Sequence, residues 1–430
     1  MPMNIFSNYE PAKIEGWWHL PGQENTHRVY GEANFYPNKK GVLRLWGPEL
    51  HPVDENFALV LGELWSHIGV TLLNVQQFNK IEARPSARKP PFPQYESWFR
   101  FDSLVYNYTF SSLSAVKGKS FDLKFDNLGS FFGYGAFRDL DNLPSDISFK
   151  LNEASCRVRY LTQSGSSISK PNYWTNTFHL ITVNTKNFVS YETLRKEYVQ
   201  PLEDFFSFAL GVNIRVESTR IDFKGLDMKK VKTIDSLHHI YPNELWDSHV
   251  AKEYRTRGQK LDVFSMRSRF GMYLRNWIEA QQNFGTVFEG YFAIFYSSAF
   301  GEYPNTTYLT LTQAIESYCR SKNLSDSSIG GLNGRIFKLL TMFGGIKLIA
   351  YLDLKNTALE LNQKRQYLSH GNPAEVYKLS SGKFSLEQSI DIAKLLLELI
   401  FLREMGMGIQ KINKIVEHQP YFTRYKNFIK

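Results

Sequence analysis

The chain has 430 residues, too many for one comfortable core, so two domains are the starting expectation. Hydrophobic residues at 43% and charged residues at 22% are ordinary for a folded soluble protein, and the net charge of +9 permits a polyanionic partner without requiring one. Two cysteines, Cys156 and Cys319, exclude both a disulfide framework and a Cys-rich zinc site.

The N-terminus MPMNIFSNYEPAKIEG lacks a basic stretch followed by an apolar run, so no secretory signal is expected. The longest apolar runs, LLLELIFL (395–402) among them, are too short to span a membrane. A reducing, cytoplasmic setting with no membrane partner is the expectation.

From Ile14 to about Val189 the chain reads as short strands. Val29–Phe35, Gly41–Trp46, Val70–Phe78, Trp98–Thr109 and Cys156–Leu161 are rich in Val, Tyr, Phe and Trp, with turn residues between them. SFDLKFD (120–126) alternates at period two, as a half-buried strand does. Such a rhythm suits a β-sandwich or a curled sheet. A helix is predicted at 192–209, with Pro201 kinking or splitting it.

A further strand is predicted at 213–223, followed by a less regular connection through His238 and His239 to about Gln259. From Leu261 the period changes, and about six helices follow, the last reading LEQSIDIAKLLLELIFLREM (386–405). The fold class is therefore α+β with two domains: a β-rich domain over 1–225, a linker over 226–260 and an all-α bundle over 261–430.

The stretch LKNTALELNQKRQYLSHGNP (354–373) carries the most chemistry. Leu354, Ala358, Leu361 and Leu368 form one helical stripe, and Arg365 falls on it. A guanidinium facing into a bundle needs a carboxylate, a polar network or a bound phosphate. His370 closes the helix, roughly 140° around from Arg365 if each residue advances about 100°. Two routes bring the two together: the last turn unwinds, or a second copy completes the site. The plain structural alternative is a helix stop, with His370 in the last turn, Gly371 after it and Pro373 beyond.

An Arg, a four-residue gap and a His followed by Gly, set in a helical bundle, resembles the HEPN superfamily of ribonucleases and nucleotide-binding proteins. The residue after the Arg is often Asn, Asp or His in that superfamily and is Gln366 here. At the other end, Gly16, Trp17, Trp18, Leu20, Pro21, Gly31, Leu43, Leu45 and Gly47, then LGELWSHIGVTLLNV (61–75), resemble the N-terminal domain of the ApeA group of antiphage HEPN proteins. Together the two resemblances cover nearly the whole chain. They imply a metal-independent HEPN endoribonuclease, a toxin of abortive infection, acting on RNA and first of all tRNA. They also imply self-association as a homodimer or higher oligomer, a phage-encoded trigger, and no cofactor.

His370 suits proton transfer from a ribose 2′-OH, and Arg365 suits stabilisation of the phosphorane. Glu316 is an auxiliary candidate that would orient His370 or pair with Arg365; the alternative is a surface pair with Arg320. Tyr367 and Asn372 flank the motif and are candidate RNA contacts, each with a plain structural alternative. His238, His239 and His249 lack nearby ligands at metal spacing, so no metal site is expected. SGSS (164–167) reads as a turn, and Trp17 and Trp18 as strand-packing residues rather than a base-stacking platform. The rival function is a non-catalytic HEPN module that binds a nucleotide or protein, with a ligand-recognising β domain.

Overall fold

The protein is described by a computed structural model at residues 12–36, 39–47, 50, 56–64, 68–83, 94–106, 108–125, 128, 131, 147–167, 170–222, 237–242, 260–261, 266, 269–296, 303–326, 328–370, 382–418, 422 and 425. It is an α+β protein whose β-rich part comes first and whose helices follow. Two compact units cover the chain. The first comprises 1–129, 138–203 and 214–253; the second comprises 130–137, 204–213 and 254–430. The change at 253/254 falls inside the stretch read as a linker, while two earlier segments cluster with the helices.

In the first unit the described strands are β1 (Ala12–His19), β2 (Val29–Tyr36), β3 (Lys39–Gly47), β4 (Asn56–Leu64), β5 (Gly69–Ala83), β6 (Gln94–Phe101), β7 (Ser103–Tyr106), β8 (Lys117–Phe125), β9 (Ser148–Leu151), β10 (Ala154–Ser167), β11 (Lys170–Ser190), β12 (Val216–Asp222) and β13 (Leu237–Pro242). They join in the order β4-β1-β2-β3-β6-β5-β7-β13-β12-β8-β11-β10-β9, and β4 also pairs with β5. That extra pairing closes β1, β2, β3, β6, β5 and β4 into a six-stranded antiparallel barrel. β7 continues β6 after a break at Asp102 and carries the sheet onward through β13. The curled-sheet expectation thus resolves as a closed barrel with a sheet extending from it.

Alternation at period two sorts the barrel residues. Ile14, Trp18, Val29, Ala33, Phe35, Leu43, Leu45, Val70, Leu72, Val75 and Phe99 are buried in one core. Glycines set how tightly the strands curl. A Cβ at Gly16 would lie 2.4 Å from the Glu63 carbonyl oxygen, where β1 meets β4, and one at Gly62 would lie 2.6 Å from the Trp18 indole. Trp18 fills the space that its registered neighbour Gly62 leaves empty. Trp17 points the other way, is 39% exposed and packs edge-on against its cross-strand neighbour Tyr30, so Trp18 is a core residue and Trp17 a strand-packing one on the outer face.

SGSS (164–167) lies in β10, paired with β11 with a register shift between Gly165 and Ser167, and is not a turn. The connection expected to be irregular contains β13, which links β7 to β12.

The helix expected at 192–209 runs without interruption over 191–210 but widens partway along. One turn at Tyr191–Leu194 leads into a π segment at Arg195–Val199, and α1 then runs over Gln200–Leu210. Pro201 cannot donate a backbone hydrogen bond, and the widened turn immediately precedes it.

The second unit holds α2 (Phe270–Asn283), α3 (Gly285–Tyr296), α4 (Pro304–Ser321), α5 (Gly331–Met342), α6 (Leu354–His370), α7 (Leu386–Glu404) and α8 (Ile409–His418). The helix α8 and a short turn at Lys347–Ala350 go beyond the six predicted. Trp277 anchors the core, with Phe205, Phe208, Phe288 and Phe401 around its ring at 4.9–5.7 Å. Every residue from Leu395 to Leu402 in α7 is buried within the chain, Glu398 included. The apolar run over 395–402 is therefore covered without a partner subunit.

Candidate active site on helix α6

Asp353 starts α6 by accepting the Asn356 backbone N–H at 3.2 Å, the pattern of an N-cap. Ala358 and Leu361 are buried as the stripe predicts, and Leu354 and Leu368 are half-buried. Thr357, Asn362 and Lys364 are buried as well. Lys364 is fully enclosed and pairs with Glu360 one turn earlier. Glu360 also accepts the backbone N–H groups of Phe384 (2.8 Å) and Lys383 (3.2 Å). A Cβ at Gly382 would lie 2.3 Å from Glu360 Oε1, so a larger residue there would push the carboxylate off its partners. The chain that leaves α6 after His370 is thereby tied back to the middle of the same helix.

Arg365 is 23% exposed and donates from Nη2 to Glu316 Oε2 on α4 at 2.8 Å. Its Nε is buried and meets no acceptor among the described residues. One turn before it, the Leu361 carbonyl accepts the buried Tyr308 hydroxyl of α4 at 2.5 Å, which pins this part of α6 to α4. Burial pushes the Tyr308 hydroxyl above the usual phenol range, with Glu360 adding to the shift and Arg365 opposing it.

Glu316 is the centre of the cluster. Its Oε1 accepts from Arg320 Nη2 at 2.6 Å and from Arg335 Nη1 of α5 at 3.4 Å, while Oε2 serves Arg365. The carboxylate is 12% exposed, so Glu316 pairs with Arg320 as one reading had it, but as a half-sheltered hub and not a surface residue. Three guanidinium groups share one carboxylate, which leaves an excess of positive charge. Such a surface attracts phosphate oxygens. Beneath it, Cys319 is buried with its Sγ 3.8 Å from the Arg335 carbonyl. Desolvation pushes that thiol up to about 12, so it stays protonated and unreactive.

His370 is the last residue of α6 and is exposed. The helix stays regular to its end, so the last turn does not unwind and His370 points roughly 140° away from Arg365. Its ring makes no hydrogen bond or ion pair among the described residues. Within one chain the structure brings together Arg365, Glu316, Arg320 and Arg335, and leaves His370 apart. Tyr367 is half-buried on the same helix; Asn372 lies outside the described residues.

His238 and His239 sit in β13, and His249 lies outside the described residues. Among the described residues no group of three or more His, Cys, Asp or Glu is arranged to hold a metal ion. No helix there is long and apolar enough to cross a membrane.

Sequence reasoning missed a second polar centre. Glu398 and Lys260 lie 3.6 Å apart with both side chains fully buried, and Tyr291 donates to Glu398 at 2.9 Å. The signal was present: a glutamate in the middle of LLLELIFL. With no solvent access, this centre ties the bundle together and does not meet a substrate.

A family model described as ApeA N-terminal domain 1 matches residues 13–277. The match covers the barrel, the sheet and the start of α2, and ends before the cluster around Arg365. No curated protein and no solved structure matches the chain.

Proposed function

The chain belongs to the ApeA N-terminal domain 1 family, a family of antiphage defence proteins, and we propose that its helical unit is a metal-independent HEPN endoribonuclease that cuts tRNA. One observation carries the reading: Arg365 is drawn into the bundle on a regular helix that ends in a solvent-facing His370. A helix stop explains His370 alone. It does not explain a half-buried arginine in a cluster with surplus positive charge.

In this reading His370 takes the proton from a ribose 2′-OH, and the 2′ oxygen attacks the adjacent phosphorus. The P–O5′ bond breaks, and a proton goes to the departing 5′ oxygen. Arg365 stabilises the charge on the phosphorane oxygens by donating twice from a planar fork. The products are a 2′,3′-cyclic phosphate and a 5′-OH. DNA, without the 2′-OH, is inert.

Because α6 does not converge the two side chains, the working site joins Arg365 of one copy to His370 of a second. The N-terminal unit then has a regulatory role, recognising a phage-encoded partner. Its support is a ladder on the outer face of the barrel. Trp17 meets Tyr30, Tyr30 stacks on Trp46, and Arg44 lies over Trp46 and Trp98. Arg100 covers Phe78, which is 43% exposed. Exposed aromatic and arginine groups in one register are typical of recognition surfaces.

The experiment is incubation of the purified protein with total tRNA, with and without EDTA. Cleavage that persists in EDTA and leaves cyclic phosphate ends is the expected result. No fragments under either condition, with lysate from phage-infected cells added as trigger, favours the rival reading, a binding module without catalysis. The divergence of Arg365 and His370 within one chain is the observation that keeps that rival in view.

A further inference from the structure

The ribonuclease reading assigns one arginine to phosphate, yet the geometry supplies three. Arg320 and Glu316 stand one turn apart on α4, Arg335 comes from α5 and Arg365 from α6, so three helices present guanidinium groups to one carboxylate. Each arginine reaches Glu316 through a single nitrogen. Each therefore keeps N–H donors that Glu316 does not use, since a guanidinium carries five. Arg365 Nε is the clearest case, buried and without an acceptor among the described residues. Arg320 and Arg335 remain open to solvent at 65% and 30% exposure.

We propose that Arg335 and Arg320, together with Arg365, form a phosphate subsite that holds the RNA backbone, with Glu316 as the residue that positions all three. This deepens the ribonuclease reading and rests on it for the identity of the polyanion. Glu316 sets the spacing of the three forks before RNA arrives. A phosphodiester then accepts from the donors that Glu316 leaves unused. Arg320 and Arg335, which share Glu316 Oε1, bind the backbone next to the phosphate that reacts, and Arg365, on Oε2, faces the reacting one. Binding through phosphates makes this subsite indifferent to base identity.

The test separates binding from cleavage by using a probe that cannot be cut. A fluorescein-labelled single-stranded RNA, fully 2′-O-methylated, is titrated against the full-length protein by anisotropy over a range of salt. Arg335→Gln should weaken binding about tenfold. It should also flatten the dependence of log K on log salt by about 0.7, the share of one phosphate contact. Arg335→Lys should keep the slope and lose roughly threefold in affinity, because charge remains but the fork does not. Arg275→Gln is the reference, since Arg275 is an exposed α2 arginine paired with Glu279. It removes the same charge elsewhere and should leave the slope unchanged.

Equal losses in Arg335→Gln and Arg275→Gln would mean a general charge effect and overturn the subsite. So would an Arg335→Gln variant that keeps wild-type affinity and slope, or a wild-type protein that does not bind the probe. If Arg335→Gln does not fold, Arg335→Lys still decides: wild-type affinity in that variant overturns the proposal. A protein that binds through Arg335 and never cuts RNA would sink the ribonuclease reading and leave the subsite standing.

Discussion

Glu316 is asked to do two things, and one substitution separates them. Glu316→Gln keeps an oxygen for one guanidinium and removes the negative charge that screens all three. RNA affinity should rise several-fold, by about 1 kcal/mol of relieved repulsion. Cleavage under saturating RNA should fall at least about tenfold, because Arg365 loses the partner that fixes its fork. A variant that binds more weakly than wild type would contradict the expected gain and show that losing the positioned forks outweighs the relieved repulsion.

At the same scale, burial pushes the thiols of Cys156 and Cys319 up to about 12 from an ordinary 9.0. The folded chain keeps both neutral while the unfolded chain ionises them near pH 9. Any stability tied to them is intact below about pH 9 and declines as pH rises from there towards 12. Urea midpoints measured from pH 8 to 11 should fall over that window, and less steeply in Cys156→Val. A disulfide reagent at pH 8 should label neither thiol until the protein unfolds.

Single residues were unevenly legible. Spacing alone placed Arg365 on the inward stripe, because helical period is a local property. Arg335 was invisible, since nothing in the spacing says that residue 335 and residue 365 meet across two helices. The burial of Lys364 was not legible either, because it depends on Glu360 one turn away and on the chain that packs over both. Glu360→Ala should therefore cost about 3–5 kcal/mol by stranding an enclosed ammonium, as thermal unfolding would register.

At the scale of elements, the barrel depends on the pairing of a large side chain with a missing one. Trp18→Ala should destabilise the first unit by about 3–5 kcal/mol, seen as a lower denaturation midpoint. Gly62→Val should do comparable damage from the other side, because its Cβ would enter the Trp18 ring. Measurable tolerance of both would mean that the β1–β4 seam does not depend on the fit of Trp18 against Gly62.

Strands with alternation, such as β8, were readable from the chain because one face is buried along their length. β13 was not, since LHHIYP carries no period of two and is a strand only through its neighbours β7 and β12. The irregularity before Pro201 was legible in place but not in form, since a kink or split was expected and the helix continues through a π segment. Helix α8 was overlooked although Ile412, Ile415 and Val416 do form a buried face. RKPPFP (88–93), a proline-rich stretch of the kind on which recognition is usually placed, lies outside the described residues.

For the whole molecule, the proposed division of labour is sensing by the barrel unit and cutting by the helical unit. Full-length protein carrying Trp17→Ala and Phe78→Ala should fold, retain cleavage of tRNA when active, and lose its response to phage. Retained protection of infected cells would remove the outer ladder from the sensing role.

The central claim is that Arg365 and His370 act together from different copies of the chain. It is tested most directly by mixing Arg365→Ala protein with His370→Ala protein under conditions that exchange subunits, with tRNA cleavage in EDTA as the readout. Each variant alone should be inactive. Mixing should restore about a quarter of wild-type activity, since random two-fold pairing makes half the particles mixed and gives each of those one intact site. A mixture as inactive as its components, with exchange verified by tagged subunits, would contradict the shared site; cleavage by His370→Ala alone would contradict the chemistry.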